Sequence, residues 1–355
     1  MARSKFKQGQ FEKTRSQKKK ANARYYKLNS ILGNTWAMFF GIIGGRKTGK
    51  SYSVADFICK KHNELGSDNL KVYWMRISET STKAMLANKA DKLIDPDLKR
   101  KYNLELTTKA MDVYNHGEPF CTVVPLSQFG KLKGVGFYDK DFEGEYILVL
   151  DEFQLEQGER RTTFNILYNF IGMCENIART TKSKIRVFLL GNTLEEASTI
   201  LKAFNFLPEK FGRFYLHSKR CVIDNLEPTE EYLKDREGSI ADILGGDSMS
   251  NYTNQLNKDR TRIDNRRLIR PTGIIKFSKD AGSWYTIWDE KIIRKYNREQ
   301  LDESRIWNMR PHIGYYSTER RKIIVDLYDQ NVLKFNNLIT QSYFAEELNL
   351  IRAVR

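Results

Sequence analysis

The sequence predicts an α/β chain in which a mainly parallel sheet lies between helices, followed by a small α+β C-terminal domain. Three observations lead there. Short apolar runs of strand length recur through the first two thirds of the chain, separated by long helix-compatible stretches. The first run stops at a glycine-rich turn and is followed at once by an amphipathic segment. Near the C-terminus the pattern changes to alternation around a tight turn. Strands joined by long crossovers lie parallel and need helices on both faces, whereas alternation marks a hairpin with one buried side.

Residues 1–28 hold ten lysines and arginines against one acid, Glu12, with almost no aliphatic side chains. Such a segment cannot bury enough apolar surface to fold alone and reads as a flexible basic arm. From there residues 29–230 have the composition of a globular domain. Trp36 to Ile43 is a buried parallel strand, and Ser51 to Glu64 is a helix with Val54, Phe57 and Ile58 on one side. Further strands are expected at Val72–Ile77, Phe120–Leu126, Tyr146–Leu150, Ile185–Leu190 and Phe214–Ile223, with a crossover helix between Thr162 and Ala178. Residues 231–258 are polar, contain Gly245 and Gly246, and read as a linker with some helix. Residues 259–355 form the second domain. It has a hairpin, Gly273–Ser278 and Trp284–Trp288, and then two helices, Thr318–Asp329 and Lys334–Leu348.

A chain of 355 residues with 40% hydrophobic content fits two domains better than one. The net charge of +16 exceeds what solubility needs and points to a polyanionic partner, nucleic acid ahead of an anionic membrane surface. No run reaches the roughly 20 apolar residues that cross a bilayer, and the N-terminus lacks the apolar stretch of a secretory signal, so a soluble intracellular protein is expected. Cys59, Cys121, Cys174 and Cys221 form no C-x-x-C pair, and the four histidines are equally scattered. Neither a zinc site nor a disulfide framework is suggested.

Gly44-Gly45-Arg46-Lys47-Thr48-Gly49-Lys50-Ser51 satisfies the phosphate-loop pattern, and it stands between a strand and a helix, the context that confirms it. Glycines let successive N–H groups turn inward on the phosphates, and the helix N-terminus adds its positive dipole end. Lys50 is expected to reach the β- and γ-phosphates and the Ser51 hydroxyl to ligate Mg²⁺. The apolar run Tyr146–Leu150 ends in Asp151 and Glu152. Behind a phosphate loop this is the expected second element, with Asp151 serving the metal and Glu152 polarising the attacking water.

Leu189-Leu190-Gly191-Asn192-Thr193 ends the next strand with an amide, and Asn192 is the candidate to sense or orient that water. Arg46 and Arg179 are candidates to supply transition-state charge. An acid pair of this kind, with strands intervening between it and the loop, indicates a P-loop ATPase of the catalytic-glutamate (ASCE) branch. No N-K-x-D guanine signature is present, which favours ATP.

With these residues in place, the chain resembles the DNA-packaging ATPases of small tailed phages whose linear genomes carry terminal proteins, compact relatives of the large terminases. The marks are Gly44-Gly45-Arg46, Val72-Tyr73-Trp74-Met75-Arg76, Val124-Pro125-Leu126-Ser127, Asp151-Glu152-Phe153 and the stretch from Leu327 to Phe335. The resemblance implies a terminase-like motor: a homo-oligomeric ring of five subunits, docked on the portal of an empty capsid, that threads double-stranded DNA inward with ATP and Mg²⁺. It implies residence in the host cytoplasm and transiently on the portal, not in the mature virion, and leaves open a scaffold RNA. The family's trans-acting arginine corresponds to Arg179 if a one-residue length difference is allowed, with Arg186 the alternative.

Large terminases also cut DNA with clustered acids, but the hairpin here carries acids only near its ends, at Asp280, Asp289 and Glu290, so nuclease activity is not expected. Arg260, Arg262, Arg266, Arg267 and Arg270 form a basic cluster suited to DNA phosphates, with Trp284, Tyr285 and Trp288 after it. Two rivals share the nucleotide site: a hexameric helicase or conjugation-type DNA pump, and a nucleotide-switched protein that assembles on the portal with negligible turnover.

Overall fold

The computed structural model describes residues 25–132, 139, 141–153, 164–178, 184–192, 198–207, 210–244, 261–264, 266–297 and 299–353. They divide into two compact units, the second made of Asn205–Leu207 and Asn257–Arg355 and the first of the remainder.

The first unit begins with a short helix, α1 (Asn29–Leu32), and the strand β1 (Phe39–Ile43), followed by α2 (Lys50–Leu65) and β2 (Leu70–Arg76). Then come α3 (Glu79–Ala90), α4 (Pro96–Tyr102), β3 (Leu106–Lys109), β4 (Asp112–Asn115), β5 (Glu118–Pro125) and α5 (Phe129–Leu132). The remaining elements are β6 (Glu145–Asp151), α6 (Ile166–Ile177), β7 (Lys184–Gly191), α7 (Thr199–Ala203), β8 (Gly212–Leu216), β9 (Cys221–Asn225), α8 (Glu230–Lys234) and α9 (Ile240–Leu244). Among the described residues the strands form one sheet in the order β3-β4-β5-β2-β6-β7-β1-β9-β8.

From β5 to β9 every neighbour is parallel, while β3, β4 and β8 add antiparallel at the two edges. The continuous apolar run of β6 is explained by burial along its whole length. Phe40, Trp74, Val149, Phe188 and Val222 from five of these strands meet in one core, against Val54 and Ile58 of α2. Asn165 caps α6 by accepting from the Tyr168 N–H, and Phe170, Met173 and Ile177 are its buried positions.

Four segments differ from the sequence expectation. The run Phe214–Ile223 is two strands, β8 and β9, paired antiparallel about a turn that ends at Arg220 in the left-handed region (φ 47°). Two short strands, β3 at the edge and β4 beside it, occur where no strand is expected. The stretch from Glu231, expected as a linker with some helix, does open within a helix, α8, but it belongs to the first unit and its Tyr232 is buried. The arm expected to run to residue 28 is packed by residue 26: Tyr26 donates its O–H to Asp224 at 2.8 Å, and Arg213 pairs with Asp224 at 2.6 Å and reaches the Ser30 carbonyl at 2.6 Å. A buried carboxylate held by a guanidinium and a phenol anchors the chain where the basic run stops.

The second unit holds β10 (Gly273–Lys276), β11 (Trp284–Trp288), β12 (Ile292–Lys295), β13 (Ile306–Asn308), α10 (Thr318–Asp329), β14 (Lys334–Phe335) and α11 (Leu338–Ala353). Its sheet runs β13-β10-β11-β12-β14, an antiparallel meander of β10 to β12 with a parallel strand added at each edge. Ile275, Phe277, Tyr285, Phe335 and Phe344 pack in its core. The expected helix from Lys334 begins only at Leu338, because Lys334 and Phe335 pair with Ile292 and Ile293.

Candidate nucleotide site

The parallel register brings the carboxyl ends of four strands to one edge of the sheet. Ile43 of β1 pairs with Gly191 of β7, Asp151 of β6 pairs with Leu190, and Arg76 ends β2 beside them. The loop Gly44–Gly49 leaves β1 at this edge. Gly44 has no room for a side chain, since a Cβ there would lie 2.9 Å from the Leu226 Cβ. Gly49 adopts φ 85°, a conformation glycine takes without strain, and Lys47 adopts φ 60°.

Four of the loop's carbonyls are each held by a donor. Lys50 Nζ donates to the Gly44 carbonyl at 2.8 Å and the Gly45 carbonyl at 2.7 Å. The Arg46 carbonyl accepts from the Tyr232 hydroxyl at 2.6 Å, and the Thr48 carbonyl from the Tyr26 N–H at 2.8 Å. Each of these carbonyls thus has a fixed donor, which sets the orientation of the loop's peptide planes, the requirement for a phosphate cradle.

The expected residues converge. Ser51 Oγ donates to Asp151 Oδ1 at 3.3 Å, which joins the two elements that sequence places a hundred residues apart. Asp151 is buried, and a hydroxyl beside a buried carboxylate is a donor set suited to Mg²⁺. Asn192 Oδ1 accepts from Lys50 Nζ at 3.5 Å, so the amide after β7 stands beside the loop lysine. Burial pushes the Lys50 ammonium down to about 8, against the opposing pull of Asp151 and Glu152, and the nearby Arg46 lowers it further.

Glu152 leaves the strand in the left-handed region, φ 53°, unusual for a residue with a side chain, and its carboxylate is half exposed. It accepts a hydrogen bond from Arg76, whose other Nη lies 3.6 Å from Asp151 and whose Nε lies 3.1 Å from the Met85 sulfur. Arg76 is the site residue that sequence reasoning did not single out for chemistry. Its signal is an arginine closing an otherwise apolar strand at the sheet's carboxyl edge.

Other expected residues stand elsewhere. Arg179 lies outside the described residues. Arg186 approaches Glu145 to 2.7 Å without hydrogen-bond alignment, at the opposite end of the strands from the loop, and its guanidinium lies over Phe57. That engagement holds it away from the loop of its own chain. In the second unit Arg260 lies outside the described residues. Arg262 stacks over Tyr328 at 4.8 Å, and Arg266 pairs with Asp264 and Asp289 at 3.3 Å each. Arg267 and Arg270 are exposed and form no ion pair among the described residues. Tyr285 and Trp288 are buried and offer no face to a nucleic acid.

The phi28 gp11 DNA-packaging motor superposes on this chain with a TM-score of 0.64 at 16% identity, covering 92% of this chain and 97% of that one. A chain of the bacteriophage phi29 genome-packaging motor assembly superposes with a TM-score of 0.63 at 17% identity, covering 94% and 100%. The chain has the fold of these motor proteins. At such identities it is the architecture that is shared, over nearly the whole of both chains. No family model and no curated protein matches the sequence.

Proposed function

We propose that the chain is a viral DNA-packaging motor ATPase, of the catalytic-glutamate (ASCE) branch of P-loop enzymes, that moves double-stranded DNA into a preformed capsid. The observation that carries the enzymatic part is the meeting of Ser51 with Asp151 at 3.3 Å, with Glu152 next in the chain. The strand β7, interposed between the loop strand and the acid strand, is the order that branch requires. The match in fold and length to two packaging-motor proteins supports the rest.

In this reading the loop amides hold the β-phosphate, and Lys50 exchanges the Gly44 and Gly45 carbonyls for phosphate oxygens. Mg²⁺, held through Ser51 and Asp151, would neutralise phosphate charge. Glu152 polarises the attacking water once Arg76 releases it, Asn192 orients that water, and Arg46 faces the developing charge. Arg179, from a neighbouring subunit, is proposed as the further cation. Arg267 and Arg270 are the exposed members of the proposed DNA-binding cluster that form no ion pair among the described residues.

The proposed partners are duplex DNA, the phage portal and further copies of the chain in a five-membered ring, with work done in the host cytoplasm. Nuclease activity is not part of the proposal. Asp280 and the pair Asp289 and Glu290 stand at opposite ends of β11, whereas a two-metal centre holds its ions about 4 Å apart.

The test is steady-state ATP hydrolysis with and without double-stranded DNA at two salt concentrations. DNA stimulation that fades with salt is expected, because phosphate contacts release counterions. Hydrolysis that ignores DNA both with and without portal would sink the motor.

A further inference from the structure

The segment that follows β9 is fastened to the phosphate loop at two places. Leu226 donates its N–H to the Ile43 carbonyl at 2.7 Å, extending the last strand pair, and its side chain fills the space beside Gly44. Six residues on, the Tyr232 hydroxyl donates to the Arg46 carbonyl at 2.6 Å. Tyr232 is 3% exposed, Thr229 caps its helix through the Tyr232 N–H at 3.1 Å, and the Arg236 guanidinium lies 5.4 Å from its ring centre. A ring so held offers its hydroxyl in one direction.

Arg46 is the third residue of the loop, and the orientation of its carbonyl decides which way the next peptide N–H points. A donor on that carbonyl therefore favours the conformer with N–H groups turned inward. The geometry points to Tyr232 as a positioning residue for nucleotide binding, acting through the Arg46 carbonyl, and to α8 as the element that feels whether the loop is filled. This rests on the nucleotide-site reading and adds a regulator to it. By linkage, whatever moves α8 must change nucleotide affinity by the same factor that nucleotide changes the position of α8.

The experiment uses the full chain, with ADP as the probe. Tyr232→Phe removes one hydroxyl and keeps the buried ring, and Leu233→Ala alters the same helix at an exposed position. Nucleotide affinity is read by calorimetry, and amide exchange of residues 229–236 is read with and without ADP. The expected result for Tyr232→Phe is a roughly five-fold loss of ADP affinity, the size of one hydrogen bond. In the wild type ADP should slow exchange in α8, and in Tyr232→Phe that response should vanish while the melting temperature without nucleotide stays close to wild type. Leu233→Ala should match the wild type in both. Wild-type affinity in Tyr232→Phe, or an α8 that ignores ADP in the wild type, overturns the proposal and leaves the nucleotide site standing. A wild-type chain that binds no ADP overturns the site itself, and the proposal with it.

Discussion

The Arg76 guanidinium donates to the Glu152 carboxylate, so the proposed base and a cation from the neighbouring strand are engaged with each other. A base held this way is less able to polarise water. Because Glu152 is half exposed, screening limits the pair to about 1 kcal/mol, or roughly five-fold in rate. Arg76→Ala is expected to raise ATP turnover measured without DNA by about that factor. A fall in turnover would mean that Arg76 assists the reaction instead.

Glu152→Gln keeps the shape of the site and removes the base. Turnover should drop by roughly 10² or more while ADP affinity stays near wild type. Lys50→Ala should weaken nucleotide binding directly, since it deletes the cation that the loop carbonyls now hold. Equal losses of binding in both variants would contradict the division of roles.

Lys50, lowered to about 8, gives the binding step a defined pH dependence. Above that value the lysine of the nucleotide-free protein is neutral, and phosphate binding must restore its proton. ADP affinity should therefore fall as pH rises through about 8 toward 9, with proton uptake on binding. Calorimetry in two buffers of different ionisation enthalpy measures that uptake, and proton release over this interval would be the contrary outcome.

Arg267 and Arg270 are exposed, while Arg262 and Arg266 are engaged within the fold. The double variant Arg267→Ala with Arg270→Ala should leave thermal stability unchanged and lower DNA affinity. The slope of log affinity against log salt should shrink by about two. An unchanged slope would place the DNA contact elsewhere.

The parallel core and the loop could be read directly from the sequence because both are local patterns. An apolar run can be recognised without knowing its neighbours, and the loop needs glycine and lysine at fixed spacing. What escaped depends on partners distant in the chain. Arg76 reads as the polar end of a strand until β6 is placed beside β2. Leu106–Lys109 is a polar strand because it pairs on one side only and exposes three of its four residues. The turn between β8 and β9 lacks glycine and proline, its left-handed residue being Arg220, so the two strands read as one. Tyr232 sits in polar sequence, and the loop carbonyl it meets lies 186 residues away in the chain.

The position of β1 in the sheet constrains when the site can come into being. It is the first strand among the described residues, yet it pairs with β7 and β9, which end at Gly191 and Asn225. During synthesis β1 must therefore wait, an apolar segment without hydrogen-bonding neighbours, while the remaining strands are made. The outer hairpin of β8 and β9 is local and quick to close, and the meander of β3 to β5 is likewise local. Insertion of β1 between β7 and β9 is the long-range step, and it is the step that carries the phosphate loop into place. In the proposed reading, nucleotide binding would thus report that β1 has entered between β7 and β9, and a nascent chain ending short of Asn225 lacks one wall of the slot that β1 must enter.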